Sequence, residues 1–203
     1  HNSIHTNLTD TALFFSLSET DWFKLMKIAK QQSVLGLCLD GFDSLKVNEA
    51  LPPRNILIKW IGNVMTLENV YEKQKISIKE LSSFFSKHCL RMVLMKGYGI
   101  SKYYPVAKHR GCGDWDIYFC GKGKYADELI KDKGIEVKQN EEKHSVYIFN
   151  GIHIENHASI ICEQEHFSLL KVEEYLKKDL NTNSHLDEET GCWLPSTMFN
   201  VVF

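Results

Sequence analysis

Five apolar residues recur at intervals of seven, Leu57, Val64, Tyr71, Ile78 and Phe85, and Trp60, Leu67 and Leu81 fall three places after members of that series. Such spacing keeps the groups on one side of an α-helix, so the span past Pro52-Pro53 reads as one long helix, or two in line, with a continuous apolar stripe. A core or inter-helix seam would cover the stripe, and so would a partner. The proline pair sits where a helix start tolerates proline, because first-turn amides have no intrahelical acceptor. Upstream, Ser18 and Asp21 form a capping-box pattern, and Trp22, Leu25, Met26 and Ala29 follow at i, i+3, i+4, i+7. This predicts a helix from about Glu19 to Gln32. Gly36 and the Asp40-Gly41 pair are expected to break the next stretch.

The period changes near Leu90. Arg91 to Met95 is a short apolar run ending in Lys96-Gly97, a buried strand entering a turn, and Gly99 to Tyr104 is a short helix closed by Pro105. Trp115 to Cys120 alternates as a strand does, Lys124 to Lys133 is helical up to Gly134, and Ile135 to Lys138 is a further strand. Ser145 to Phe149 and Ile152 to Ile161 form a hairpin around Asn150-Gly151. The order is β-α-β-α-β-β-β, an α+β layer with one sheet. Lys171 to Leu180 is an amphipathic helix, and Asn181 to Gly191 reads as polar loop.

With 203 residues, 43% hydrophobic and 25% charged, the chain has a globular composition. No run approaches the roughly 18 apolar residues of a membrane helix, so no membrane partner is expected. The six cysteines contain no C-x-x-C pair, and no signal-peptide pattern opens the chain, so reduced thiols in a cytoplasmic protein are expected. The chain begins at His1 and stops inside the apolar run Met198 to Phe203, as expected of a piece of a longer protein.

The net charge of −2 hides a local bias. Between Arg91 and Lys124 seven Lys or Arg stand against two acids, and six of the twelve glycines lie between Gly97 and Gly123. Glycines admit close backbone approach and a positive field attracts phosphate, so a polyphosphate ligand suits the stretch; a turn-rich connection with a solvated basic face suits it too. The two acids are Asp114 and Asp116. At the start of a strand, residues i and i+2 share a face, and two carboxylates held together call for a cation, for which magnesium with substrate phosphates is apt. A solvated loop end is the other reading. Within Ile152-His-Ile-Glu-Asn-His157 the polar His153, Glu155 and His157 alternate with apolar residues, so Glu155 either completes a carboxylate site with the aspartates or lies on the wet face of an edge strand. Zinc held by His153, Glu155 and His157 fits less well, since adjacent alternating ligands leave little room for tetrahedral closure. Trp115 is expected to pack inward, and Cys112 and Cys120 to be buried thiols rather than ligands.

Together Val93-Leu-Met-Lys96-Gly97, Tyr103-Tyr104-Pro105, Arg110-x-x-Gly113-Asp114-x-Asp116-Ile117 and Ile154-Glu155-x-His157 resemble, in order and spacing, a bacterial family of uncharacterised nucleotidyltransferases within the DNA polymerase β-like superfamily. The resemblance spans Arg91 to about Ile161. It implies an α+β fold: a helical N-terminal region (1–89), a minimal nucleotidyltransferase core with one mixed β-sheet flanked by helices (90–162), and a helix and loop (163–203) leading to a truncated C-terminal region. It implies transfer of a nucleoside monophosphate from an NTP, ATP among them, to an acceptor hydroxyl. Asp114, Asp116 and Glu155 would be catalytic and would hold two magnesium ions, with manganese able to substitute. Lys96, Gly97 and Arg110 would bind the nucleotide, and His144 and His157 would be weaker candidates for substrate contact. The superfamily's glycine-serine signature is absent, and Lys96-Gly97-Tyr98 occupies its place. The acceptor could be a small molecule, a sugar, a protein side chain or tRNA, the last as in toxin-like transferases. A regulatory module that binds nucleotide without turnover is the reading from another class. Neither the acceptor nor the oligomeric state is readable from the chain.

Overall fold

Ser18 caps the first long helix: its hydroxyl accepts from the Asp21 amide at 3.2 Å while the Asp21 carboxylate accepts from the Ser18 amide at 3.3 Å, satisfying end donors that the helix cannot. The computed structural model describes residues 12–46, 50–140, 144–161 and 167–203. The helices α1 (Ala12–Phe15), α2 (Glu19–Gln31), α3 (Leu35–Lys46) and α4 (Arg54–Lys87) come first. The apolar stripe belongs to one uninterrupted helix of 34 residues. None of the described helices is long and apolar enough to cross a membrane.

The chain forms two compact units, one reaching to Val70 and including Val106–Gly111, the other made of Tyr71–Pro105 and Cys112–Phe203. In the first, Trp22, Met26, Phe42, Ile56, Trp60 and Val64 share a core. Phe42 meets Trp60 edge-on at 4.8 Å, and the Trp60 indole donates to the Leu35 carbonyl at 2.9 Å. The expected break at Gly36 and Asp40-Gly41 does not occur, because α3 runs through all three. A Cβ at Gly36 would fall 2.5 Å from the Cβ and carbonyl of His109, so this glycine serves a close approach rather than a turn. Asp40 meets the His109 Nδ1 at 2.7 Å, and Glu68 meets the Nε2 at 2.9 Å. Burial of Leu35, Phe42 and Leu45 outweighs a glycine penalty of about 1 kcal/mol per site.

The second unit holds β1 (Val93–Met95), α5 (Gly97–Ser101), β2 (Trp115–Tyr118), α6 (Gly123–Asp132), β3 (Lys138–Asn140), β4 (His144–Phe149), β5 (Ile152–His157), α7 (Phe167–Asn183), β6 (His185–Leu186), β7 (Trp193–Leu194) and α8 (Thr197–Val202). Its mixed sheet runs β3-β4-β5-β2-β1-β7-β6, giving the α+β architecture expected. β2 is central, parallel to β5 and antiparallel to β1. The β4–β5 hairpin closes on Asn150 and Gly151, both at positive φ, as a two-residue turn of matching twist requires. Val93, Met95 and Tyr118 pack with Leu176, Leu180 and Phe199, and Phe85 of α4 meets Phe119 at 4.5 Å.

Other elements of the second unit also differ from expectation, β5 among them, which ends at His157 rather than Ile161. The third strand begins at Lys138 rather than Ile135, because Gly134 at φ +79° turns the chain and the Ile135 amide is used in closing α6, donating to the Ile130 carbonyl at 3.2 Å. The stretch read as polar loop carries the end of α7 and β6. Its turn is pinned from within and without: Thr190 donates to Asp187 at 2.6 Å, Tyr98 of α5 donates to Asp187 at 3.2 Å, and Glu189 pairs with both Lys75 and Lys102. This clamp holds α5, and with it the Lys96-Gly97 turn.

Hydrogen bonds from Lys102 and Lys75 hold the Glu189 carboxyl at about 2, against an ordinary 4.5. A depressed folded-state value means that its contribution is full above the unfolded value and is lost as pH falls through the folded one. Glu189→Gln should therefore lower the melting temperature at pH 7, with the difference from wild type closing between about pH 4.5 and pH 2. Thermal melts across that range test it, and a difference independent of pH would show that the pair does not stabilise the turn.

Candidate active site

Strand register, more than any single residue, builds the site. In the parallel pair β2–β5, Trp115 lies opposite Ile154, Asp116 opposite Glu155 and Ile117 opposite Asn156. Alternation then sends Asp116 and Glu155 to one face while Trp115, Ile117 and Ile154 are buried on the other. His157, two residues beyond Glu155, shares their face. Its Nε2 lies 2.9 Å from Asp116 Oδ1 and 3.4 Å from Glu155 Oε2, and ligand atoms of all three residues lie within 4.8 Å of one another. Among the described residues this trio has the donor set and spacing to hold a metal ion.

On the other side of β2, Met95 pairs with Asp116, so the chain leaves β1 beside the carboxylates. There Lys96 adopts φ 51°, ψ −151° and Gly97 follows at φ 40°. A side chain in that region is strained, and such strain persists where surrounding structure demands it, often at functional sites. The turn brings the Lys96 ammonium to 4.0 Å from Asp116 Oδ1. The Asp114 carbonyl lies 3.6 Å from where a Gly97 Cβ would stand. Asp114 itself is exposed, in a bend just before β2, and is not one of the trio. Burial acts to raise the Asp116 carboxyl, but the hydrogen bond with His157 and the charge of Lys96 prevail and hold it below the ordinary value.

The other expected site residues divide. His144 is opposite His157 in the β4–β5 pair and stacks on it, ring centroids 5.4 Å apart, so it borders the trio. Arg110 falls in the other compact unit, where its guanidinium donates to the Gly111 carbonyl at 3.2 Å. Trp115 is buried as expected, whereas Cys112 and Cys120 are only partly buried, because both lie in the irregular segments that flank β2 rather than within it. Gln74 is a residue that sequence reasoning passed over. Buried on α4, it donates to the carbonyls of Cys112 and Gly113 at 3.1 and 3.3 Å and fixes the approach to Asp114. Its signal was present, a polar side chain three residues past Tyr71 on the striped helix.

Two carboxylates and an imidazole, with a lysine and an open glycine turn alongside, can ligate a divalent cation and receive an anionic substrate. A family model described as uncharacterised nucleotidyltransferase matches residues 18–202. No curated protein matches the chain.

In metal-free protein the Asp116 carboxyl should titrate below 3.8, its ordinary value. The stability tied to it is therefore present above about that pH and lost as pH falls through the lowered value. His157→Ala should move the midpoint upward, since the imidazole is the leading favourable partner. Carboxyl-carbon NMR of labelled aspartate reads both. An unchanged midpoint in the variant would remove His157 from the account.

Proposed function

From the premise that the chain belongs to the uncharacterised nucleotidyltransferase family, we propose that it moves a nucleoside monophosphate from an NTP to an acceptor hydroxyl, releasing pyrophosphate, with the catalytic layout of the DNA polymerase β-like superfamily. The observation that carries this reading is the in-register placement of Asp116 and Glu155 on adjacent parallel strands, with His157 between their oxygens. The donor set fits a hard divalent cation: two carboxylates supply oxygens, and the nearest lysine sits at the edge of ion-pair range rather than occupying the site. Asp116 and Glu155, joined by Asp114 on a two-ion reading, would hold magnesium. When bound, the cations would neutralise charge on the attacking and leaving oxygens.

The remaining work falls to the chain itself. His157 keeps Asp116 ionised and oriented. Glu155, half-buried beside His157, would either ligate one of the ions or accept the proton of the acceptor hydroxyl. Lys96 and the Gly97 amide receive the triphosphate, taking the role that a serine has in the superfamily signature. The Glu189 clamp keeps Lys96 and Gly97 in their strained turn through α5.

Asp116→Asn and Glu155→Gln should each lower magnesium-dependent pyrophosphate release by about 100-fold or more, the scale of losing a group that stabilises transition-state charge, while both variants stay folded at neutral pH, Asp116→Asn giving up the stability tied to its ionised carboxylate. Asp114→Asn should do the same if two ions act. The assay uses each of the four NTPs with cell extract as acceptor source, and labelled NTP then identifies what is modified. Wild-type rates in Asp116→Asn would end the assignment of the metal site. Binding of NTP without turnover under every condition would favour a regulatory module.

A further inference from the structure

A cavity of about 470 Å³ opens at the head of α6, with His144 and His157 in its lining. Nothing in the proposed reaction uses its floor. α6 is ten residues long, Lys122 stands at its N-cap, and no side chain caps the first-turn amides. Those amides are a ready anion seat. Lys122 and Lys124 flank them, both exposed and both lining the cavity. The preceding turn, Cys120 at φ 54° and Gly121 at φ 83°, is what aims the helix end at this space.

An independent feature points to a ligand. Asn156 is 3% exposed and lines the same cavity. Its amide nitrogen is fully engaged, donating to the Gly123 carbonyl at 2.9 Å and to Asp127 Oδ1 at 2.8 Å. That fixes the orientation of the amide and leaves Oδ1, a buried acceptor, with no partner among the described residues. A buried acceptor without a donor is costly. A Cβ at Gly123 would fall 3.0 Å from that oxygen, so the glycine keeps its approach clear. Asp127 does not fill the need, because its carboxylate is itself an acceptor, taken up by Ser145 at 2.7 Å, by Asn156, and by Gln139 at 3.4 Å.

The cavity therefore asks for two things at once, a compact anion for the amides and lysines and a hydrogen-bond donor for Asn156. We propose that it binds a hydroxyl-bearing phosphomonoester, and that this ligand is the acceptor of the transfer. Its hydroxyls would sit along the stacked His144–His157 wall, where the His157 Nε2 meets Asp116 and Glu155. The volume matches a small-molecule site. The acceptor role rests on the transferase reading above; the binding does not.

The test uses the full chain with ¹⁵N-labelled glycine, without metal or NTP, titrated with glycerol 3-phosphate, inorganic phosphate and glycerol. Glycerol 3-phosphate should shift the Gly121 and Gly123 amide signals saturably, inorganic phosphate should do so about tenfold more weakly for want of the donor, and glycerol should do nothing. The Lys122→Ala/Lys124→Ala double variant, altered only at exposed positions, should weaken both phosphates about tenfold. Gly123→Ala, followed at Gly121, should abolish the preference for glycerol 3-phosphate over phosphate. Asp116→Asn should bind as wild type, so lost transfer with retained binding separates failure of the chemistry from failure of the pocket. No saturable shift with either phosphate, or equal affinity in the double-lysine variant, overturns the site. ATP competing for the same signals at lower concentration than glycerol 3-phosphate assigns the cavity to the nucleotide and overturns the acceptor role.

Discussion

The parallel pairing of β2 with β5 is the interaction on which the rest of the site depends. Slip that register by one residue and Glu155 turns to the buried face while Ile154 or Asn156 meets the aspartate. Two carboxylates on neighbouring strands repel, and the fold tolerates them because His157 lies against both and Lys96 approaches from β1. The same arrangement that holds the free protein together is one that a divalent cation would exploit. Structural balance and the donor set for a metal thus come from a single group of side chains.

That register is held from both flanks. On one side the β4–β5 hairpin, closed by Asn150 and Gly151, fixes β5 and brings His144 onto His157. On the other, β1 carries Lys96 to the site, and the turn after it is kept by α5. The grip on α5 comes from far along the chain, where Asp187 and Glu189 hold Tyr98 and Lys102. The polar stretch that sequence reading took for loop is part of what positions the basic residue of the candidate site. Gln74 plays the matching part for the approach to Asp114, from a helix whose stripe otherwise reads as pure packing.

Much of the local structure was legible. The capping box of α2, the heptad stripe of α4, the strand–turn–helix at Lys96-Gly97 and the Asn150-Gly151 hairpin follow from periodicity and from residues with strong backbone preferences. Gly36 misled because glycine has two uses, turning a chain and admitting a neighbour, and only the nearness of His109 distinguishes them. The same ambiguity ran the other way at Gly123, where the chain shows one of many glycines and the fold shows a gap kept open beside Asn156.

By itself the sequence determined the elements, the basic glycine-rich stretch, the D-x-D pair, and an alternation that sets Glu155 and His157 on one face of their strand. Tertiary structure alone decided that Asp116 rather than Asp114 lies opposite Glu155, that His157 bridges them, that Arg110 belongs to the other compact unit, and that a cavity with a free acceptor adjoins the trio. The reason is physical. Periodicity and propensity act over a few bonds and settle which way a side chain faces, whereas strand neighbours and register are settled by burial and pairing between segments some forty residues apart, which no local pattern encodes.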